Sequence, residues 1–142
     1  MVNKNNIDNK VVDDFGKEWK AFNHQGLENN DLQSAFDSYF HFFPFANLKD
    51  AEGFDMGCGS GRWAQFVAKK VGFLNCIDPS HLALDQAKLN LVDAANCSLE
   101  CAGVDNNSLK DDSQDFGYSL GVLHHIPDTT LALQSCAKKL KS

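Results

Sequence analysis

The chain has 142 residues, 43% hydrophobic and 23% charged, and its thirteen Lys and Arg against nineteen Asp and Glu leave a net charge of -6. That length holds one domain with a real core and is too short for two. The acidic balance argues against a nucleic-acid binder driven by phosphate neutralisation, because the cations are scattered and their closest cluster, Lys138, Lys139 and Lys141, sits at the very end. No apolar run approaches a membrane span, and the first ten residues are polar and lack the apolar stretch of a secretory signal. Among the five cysteines, Cys58, Cys76, Cys97, Cys101 and Cys136, there is no C-x-x-C pair and no nearby histidine to complete a zinc site. They read as small buried apolar residues in a reducing cytoplasm, and no metal is expected.

Residues 1–9 are expected to fray. From Val11 to Asn23 the apolar set Val11, Val12, Phe15, Trp19 and Phe22 recurs at helix-like intervals, with Gly16 weakening the pattern. A second helix fits Asp31 to Phe42, with Leu32, Ala35, Phe36, Tyr39 and Phe40 on one face and Pro44 as its stop. The aromatic run 39–45 either docks these helices on a sheet or caps a ligand pocket, and packing is the favoured reading. Residues 1–48 thus form an N-terminal helical segment ahead of an α/β domain over 49–142.

The centre of the chain is Glu52 to Val71, which reads as a short strand, a tight turn with Gly57, Gly59 and Gly61 at alternate positions, and a helix. Glycine is required where φ is positive or where a ligand lies against the main chain, so the turn is a candidate cofactor seat. The spacing G-x-G-x-G is shorter than the G-x-G-x-x-G of dinucleotide sites. Asp55, two residues ahead of Gly57, would repel a diphosphate and attract an ammonium group. Gly72 to Asp78 is a second strand, ending in an acid nineteen residues beyond Gly59. In a βαβ unit that interval returns the chain beside the glycine turn, where the acid can accept hydrogen bonds from ribose hydroxyls. Ser80 is the better N-cap for the following helix, which leaves Asp78 free for a ligand.

The third helix runs from Ser80 to Asp93 with Leu82, Ala83, Ala87, Leu91 and Ala94 inward, followed by a strand over Cys97–Ala102 and a polar loop from Val104. A fourth strand covers Phe116–Leu120, and a last helix covers Asp128–Leu140. Between them lie His124 and His125, either of which could act as a base, steer a substrate or brace the loop. This order of elements implies an open parallel sheet with the first strand central, the second and third to one side and the fourth to the other.

Three stretches, Asp55 to Gly61, Ile77-Asp78-Pro79-Ser80 and Ser119 to Asp128, resemble motifs of the class I S-adenosylmethionine-dependent methyltransferases, of the type 11-like kind. Phe15-Gly-Lys-Glu-Trp19 is similar to an opening that in some members folds over the cofactor. The resemblance implies a Rossmann-like fold and S-adenosyl-L-methionine as cofactor. It places Asp55 on the methionyl ammonium, Gly57, Cys58, Gly59 and Gly61 as backbone approach, and Asp78 with Pro79 at the ribose. Asp105 and Asn106 fall at the adenine, and Leu120 to His124 along the methionine end. The implied reaction is methyl transfer to a small-molecule acceptor. The likeness covers only the first part of the family's domain, a truncated fold of about four strands. The fourth strand is then an open edge through which a second copy or a partner chain could join. The alternatives are a non-catalytic cofactor-binding or assembly module of the same ancestry and an NAD(P)-dependent oxidoreductase.

Overall fold

A computed structural model describes residues 6–21 and 29–142. Four parallel strands, β1 (Glu52–Met56), β2 (Phe73–Asp78), β3 (Cys97–Cys101) and β4 (Phe116–Tyr118), form one sheet in the order β3-β2-β1-β4. The expected order is the one observed, with the chain reversing direction of growth between β1 and β4. In open sheets of this kind a ligand crevice opens at that reversal, outside the strands' C-terminal ends.

Helices flank the sheet: α1 (Asn9–Ala21), α2 (Asn29–Tyr39), α3 (Ala64–Val67, continued as a 3-10 turn to Lys70), α4 (His81–Asn90) and α5 (Thr129–Lys139). Two apolar layers result. One gathers Phe36 from α2 and Phe40 just after it, Val67 from α3, and Leu84 and Ala87 from α4 against Leu74, Cys76, Phe116 and Tyr118. The other packs Ala132 and Cys136 of α5 on Phe54, Met56, Ile77 and Val104. Phe54 and Met56 face α5 while Asp55 faces the opposite layer, as the two-residue period of a strand requires.

Caps are local. Ser80 Oγ accepts from Ala83 N at 3.2 Å to start α4, and Asp128 Oδ1 accepts from Leu131 N at 2.9 Å to start α5. The aromatic run is mostly packing, as expected: Phe40 meets Tyr118 edge-on at 5.1 Å and Phe36 stacks on Phe66 at 4.9 Å, while Phe42 is 93% exposed. Two inward assignments need correction. Tyr39 is exposed and touches only the rim residue Trp63 among the described rings. Leu82 turns toward Gly16 of α1 and not to the sheet; Leu84 takes the buried place. Residues 6–8 are also not frayed, since Asn6 is buried against Asp128. The side chain of Trp19, and Phe22 altogether, lie outside the described residues.

Between β1 and β4 each glycine seats the other strand's phenylalanine. Gly53 pairs with Phe116 and Phe54 with Gly117, and a Cβ built on Gly117 would lie 2.2 Å from the Phe54 ring. Gly117→Ala is therefore expected to destabilise the fold by about 1–3 kcal/mol through overpacking, read as a lower urea midpoint at unchanged slope.

Candidate functional site

A cavity of about 260 Å³ opens at the C-terminal ends of β1 and β2, near the lower bound of roughly 300–1,000 Å³ for small-molecule sites. Its floor is Met56, the glycine turn and Ile77; one wall is Asp78 to Ser80 with Ala102 to Val104, and the other is Leu120 to Val122 with His125 and Ile126. The roof comes from the N-terminus: Asn6 to Asp8, Val11, Val12 and Phe15.

The glycine turn has the geometry its spacing suggests. Gly57, Gly59 and Gly61 all have positive φ, at 79°, 55° and 74°. Gly57 N and Cys58 N both donate to Ile77 O, at 2.8 and 3.0 Å, so the turn is laced to β2 as it leaves β1. A Cβ on Gly57 would come within 2.5 Å of Val122, because the loop after β4 crosses directly over the turn. Gly61 serves packing instead. It is not on the cavity wall, and its missing side chain lets the turn sit close on Leu91 and Ala87.

Asp78 stands on the cavity wall with its carboxylate tied on the protein side. Oδ2 accepts from Gly59 N at 2.8 Å and Oδ1 from Ser80 N at 2.9 Å. Burial pushes its pKa up and the two amides pull it part of the way back, and those two bonds leave a lone pair open on each oxygen.

Asp55 is placed differently from the expectation that it holds a ligand's ammonium. It lies under the turn, off the cavity wall, where its Oδ2 accepts from Tyr118 Oη at 2.9 Å. The strand's alternation turns it toward α3 and α4, while its neighbour Met56 faces the cavity. Burial raises its pKa to about 7, against the lowering effect of the Tyr118 hydroxyl and with a further push from Asp78. Below it run the buried thiols of Cys58 and Cys76 and the half-buried thiol of Cys97. Cys76 is held well above its ordinary range, first by its hydrogen bond to Cys58, so none of the three is an activated nucleophile.

Of the other expected site residues, Gly57, Cys58, Gly59, Pro79 and Leu120 meet Asp78 at the cavity. Asp105, Asn106 and His124 do not. The loop after β3 is folded on itself by Asn107, whose Nδ2 donates to Gly103 O and Val104 O at 3.2 and 2.8 Å. This presents Val104 to the cavity and turns Asp105 away, with neither of its buried oxygens bonded to a described residue. His125 is the histidine on the wall, with Phe15 edge-on to it at 4.9 Å and the His124 ring at 3.8 Å.

Sequence reasoning missed Asn6 to Asp8, Arg62 and Trp63 on the cavity wall, although the resemblance at Phe15 to Trp19 implies a segment folded over the cofactor. The apolar stripe Val11, Val12 and Phe15 marks a buried helix face without saying what it covers. Arg62, whose guanidinium lies 4.3 Å over the Trp63 ring, carries no signal beyond its place after Gly61. Among the described residues no group of His, Cys, Asp or Glu could hold a metal, and no helix is long and apolar enough to cross a membrane.

A strand that ends in a glycine turn, an acid at the end of the next strand and a roofed crevice at the reversal of strand order define a nucleoside-cofactor domain. Residues 54–142 match the methyltransferase domain family. The chain is 35% identical over 105 residues to the tRNA U34 carboxymethyltransferase of Aliarcobacter butzleri, covering 70% of this chain and 33% of that protein. It is 30% identical over 98 residues to the ubiquinone biosynthesis O-methyltransferase of Nitrosomonas europaea, covering 67% and 41%. In fold it is similar to the Haemonchus contortus phosphoethanolamine N-methyltransferase 1 solved with phosphoethanolamine and S-adenosylhomocysteine, with a TM-score of 0.74 at 16% identity over 100% of this chain and 33% of that one. The chain belongs to the methyltransferase domain family, the class I S-adenosylmethionine-dependent methyltransferases, whose cofactor is S-adenosylmethionine. It spans about a third to two fifths of the length of the curated relatives it matches.

Asp55 gives this site a pH signature. Its proton is bound more tightly folded than unfolded, so the folded state loses stability as pH rises from about 4 to about 7 and is flat above. Asp55→Asn is expected to remove that decline, a difference on the order of 4 kcal/mol at most between wild type and variant across the window, read from urea midpoints against pH. An identical slope in both proteins would show that another group carries it.

Proposed function

We propose that this domain binds S-adenosylmethionine in the crevice and transfers its methyl group to a small-molecule acceptor. The observation that carries the reading is the pairing of a side-chain-free turn with the Asp78 carboxylate on one cavity wall. Bound there, the sulfonium would supply a methyl group already activated for in-line displacement. The protein's own part is then mainly positioning.

Asp78 accepts the two ribose hydroxyls with the lone pairs its backbone bonds leave open. Gly57 and Gly59 let the amino-acid tail lie on the main chain, and Leu120 to Val122 confine it from the β4 side. Asp55 acts from beneath the turn as a buried negative potential whose charge depends on pH near 7, and not as a direct partner of the ammonium. His125, at the open end beside Phe15, is placed to steer an acceptor or take its proton. The acidic balance of the chain supports a small acceptor over a polyanion, while the relatives divide between one named for tRNA and one named for ubiquinone biosynthesis.

The test is calorimetric titration with S-adenosylhomocysteine and with NAD, followed by a methyl-transfer assay on the same sample. Heat from the first nucleotide alone is expected. Heat from NAD alone would point to an oxidoreductase, and binding without transfer to any acceptor would leave a cofactor-binding module. Asp78→Ala is expected to weaken S-adenosylhomocysteine on the order of 100-fold, the loss of two charge-assisted hydrogen bonds.

Asn6 is one of the residues that fasten the roof. Asn6 Nδ2 donates to Asp128 O at 3.0 Å and Asn6 Oδ1 accepts from Asp128 N at 2.8 Å, across 122 positions of sequence. Asn6→Ala is expected to speed release of S-adenosylhomocysteine by roughly tenfold in stopped-flow displacement, with thermal stability little changed.

A further inference from the structure

Twelve of the thirteen Lys and Arg are lysines, and the chain's one arginine, Arg62, stands on the cavity wall. Its main chain is fixed on both sides. Ahead of it Gly61 N donates to Cys58 O at 2.9 Å and closes the glycine turn, and Gln65 Nε2 donates to the carbonyl of Arg62 itself at 3.0 Å. The half-buried side chain places its guanidinium 4.3 Å over the Trp63 ring. Trp63 is braced in turn by Tyr39 at 5.3 Å and Phe40 at 6.4 Å, at the end of α2 and just after it. Such a stack orders a long, rotamer-rich side chain, and an ordered guanidinium presents a planar fork of N–H donors that matches a carboxylate.

With the cofactor seated as proposed above, on which this inference rests, the ribose is at Asp78 and the amino-acid tail crosses Gly57 and Gly59. That tail ends in an ammonium and a carboxylate. The carboxylate enters negative surroundings: Asp8 and Asp78 are on the wall, Asp55 lies under the turn, and the chain carries -6 overall. Like charges at that range repel, and a carboxylate taken out of water without a partner is costly. Arg62 directly follows the turn that the tail crosses and brings a permanent cation to the same lining.

We propose that Arg62 holds the carboxylate of the cofactor's amino-acid tail, that Trp63 is the positioning residue beneath its guanidinium, and that the pair selects ligands carrying that carboxylate. Asp55 below the turn and Arg62 beyond it then offer the zwitterion one charge of each sign. The aromatic run 39–45 gains a part in the site as well, because Tyr39 and Phe40 steady the ring on which the guanidinium lies. A site built to pair with a ligand group rejects the analogue lacking it, since its own polar partner is then stranded.

The experiment is calorimetry with S-adenosylhomocysteine and its decarboxylated analogue, which keeps the nucleoside, the thioether and the amine and so isolates the carboxylate. The wild-type protein is expected to favour the carboxylate compound by about fivefold or more. Arg62→Gln is expected to lose that preference while binding the decarboxylated analogue within about threefold of wild type, and Trp63→Leu to reduce the preference in the same ligand-selective way. A purely structural Arg62 would weaken both compounds equally, and that result overturns the proposal. So does a wild-type preference below about fivefold, or one that survives in Arg62→Gln. An unchanged preference in Trp63→Leu overturns the positioning role. A lone arginine also gives a single Nε–Hε resonance, expected to shift with S-adenosylhomocysteine and to stay in place with the analogue. That measurement uses wild-type protein and decides the matter if Arg62→Gln fails to fold, equal movement with both compounds counting against the assignment. No heat from either compound removes the cofactor reading itself, and this inference with it.

Discussion

The crevice depends on one carboxylate. Asp78 ends β2 and accepts hydrogen bonds from Gly59 N on one side and Ser80 N on the other, so the β1 turn and the start of α4 are fixed to the same two oxygens. A buried acid without such partners would be costly to keep ionised, and the two amides offset part of its desolvation. The same bonds aim the glycine turn. Because Gly59 is drawn to Asp78 while Gly57 and Cys58 are drawn to Ile77 O, the turn lies flat across the ends of β1 and β2 and leaves its backbone facing the cavity.

Around that anchor, the surfaces meeting a ligand are of three kinds. The floor is backbone, the β3 wall is apolar, and the roof is a helix fastened to the opposite side of the sheet. The roof covers part of the crevice and leaves the rest open to solvent. Phe15 reaches His125, Gly16 admits Ser80 and Leu82 at close range, and Asn6 reaches the cap of α5, so α1 bridges the helices on both sides of the strand reversal. Under the turn, Asp55, Tyr118 and the three thiols form a polar seam inside an otherwise apolar layer. Such a seam is tolerated because its members bond to one another.

The β4 side shows how the layer above α5 is closed. After α5 the backbone returns to β4, with Gln114 bridged in parallel to Leu140 and Lys141 N donating to Gln114 O at 2.9 Å. Lys141 Nζ meets Asp115 at 2.7 Å on the same edge. The part of β4 from Phe116 to Tyr118 pairs only with β1 among the described strands.

Reading the chain alone was enough for the strand order, the glycine turn and the placing of Asp78 at a strand end, because all three follow from local signals: two-residue alternation, helix caps and glycine spacing along a βαβ unit. It was enough for much of two helix faces too, with Leu32, Phe36, Ala83 and Ala87 buried as their spacing implies. Only the tertiary structure decided which side of the sheet Asp55 faces, since a strand's parity is set by what packs on each side and not by the residue itself. It also decided that Val104 and not Asp105 meets the cavity, through Asn107's bonds to two carbonyls, and that the polar N-terminal residues 6–8 form a roof, through contacts more than a hundred positions away. A carboxylate's chemistry is legible one residue at a time; its direction is a property of everything folded around it.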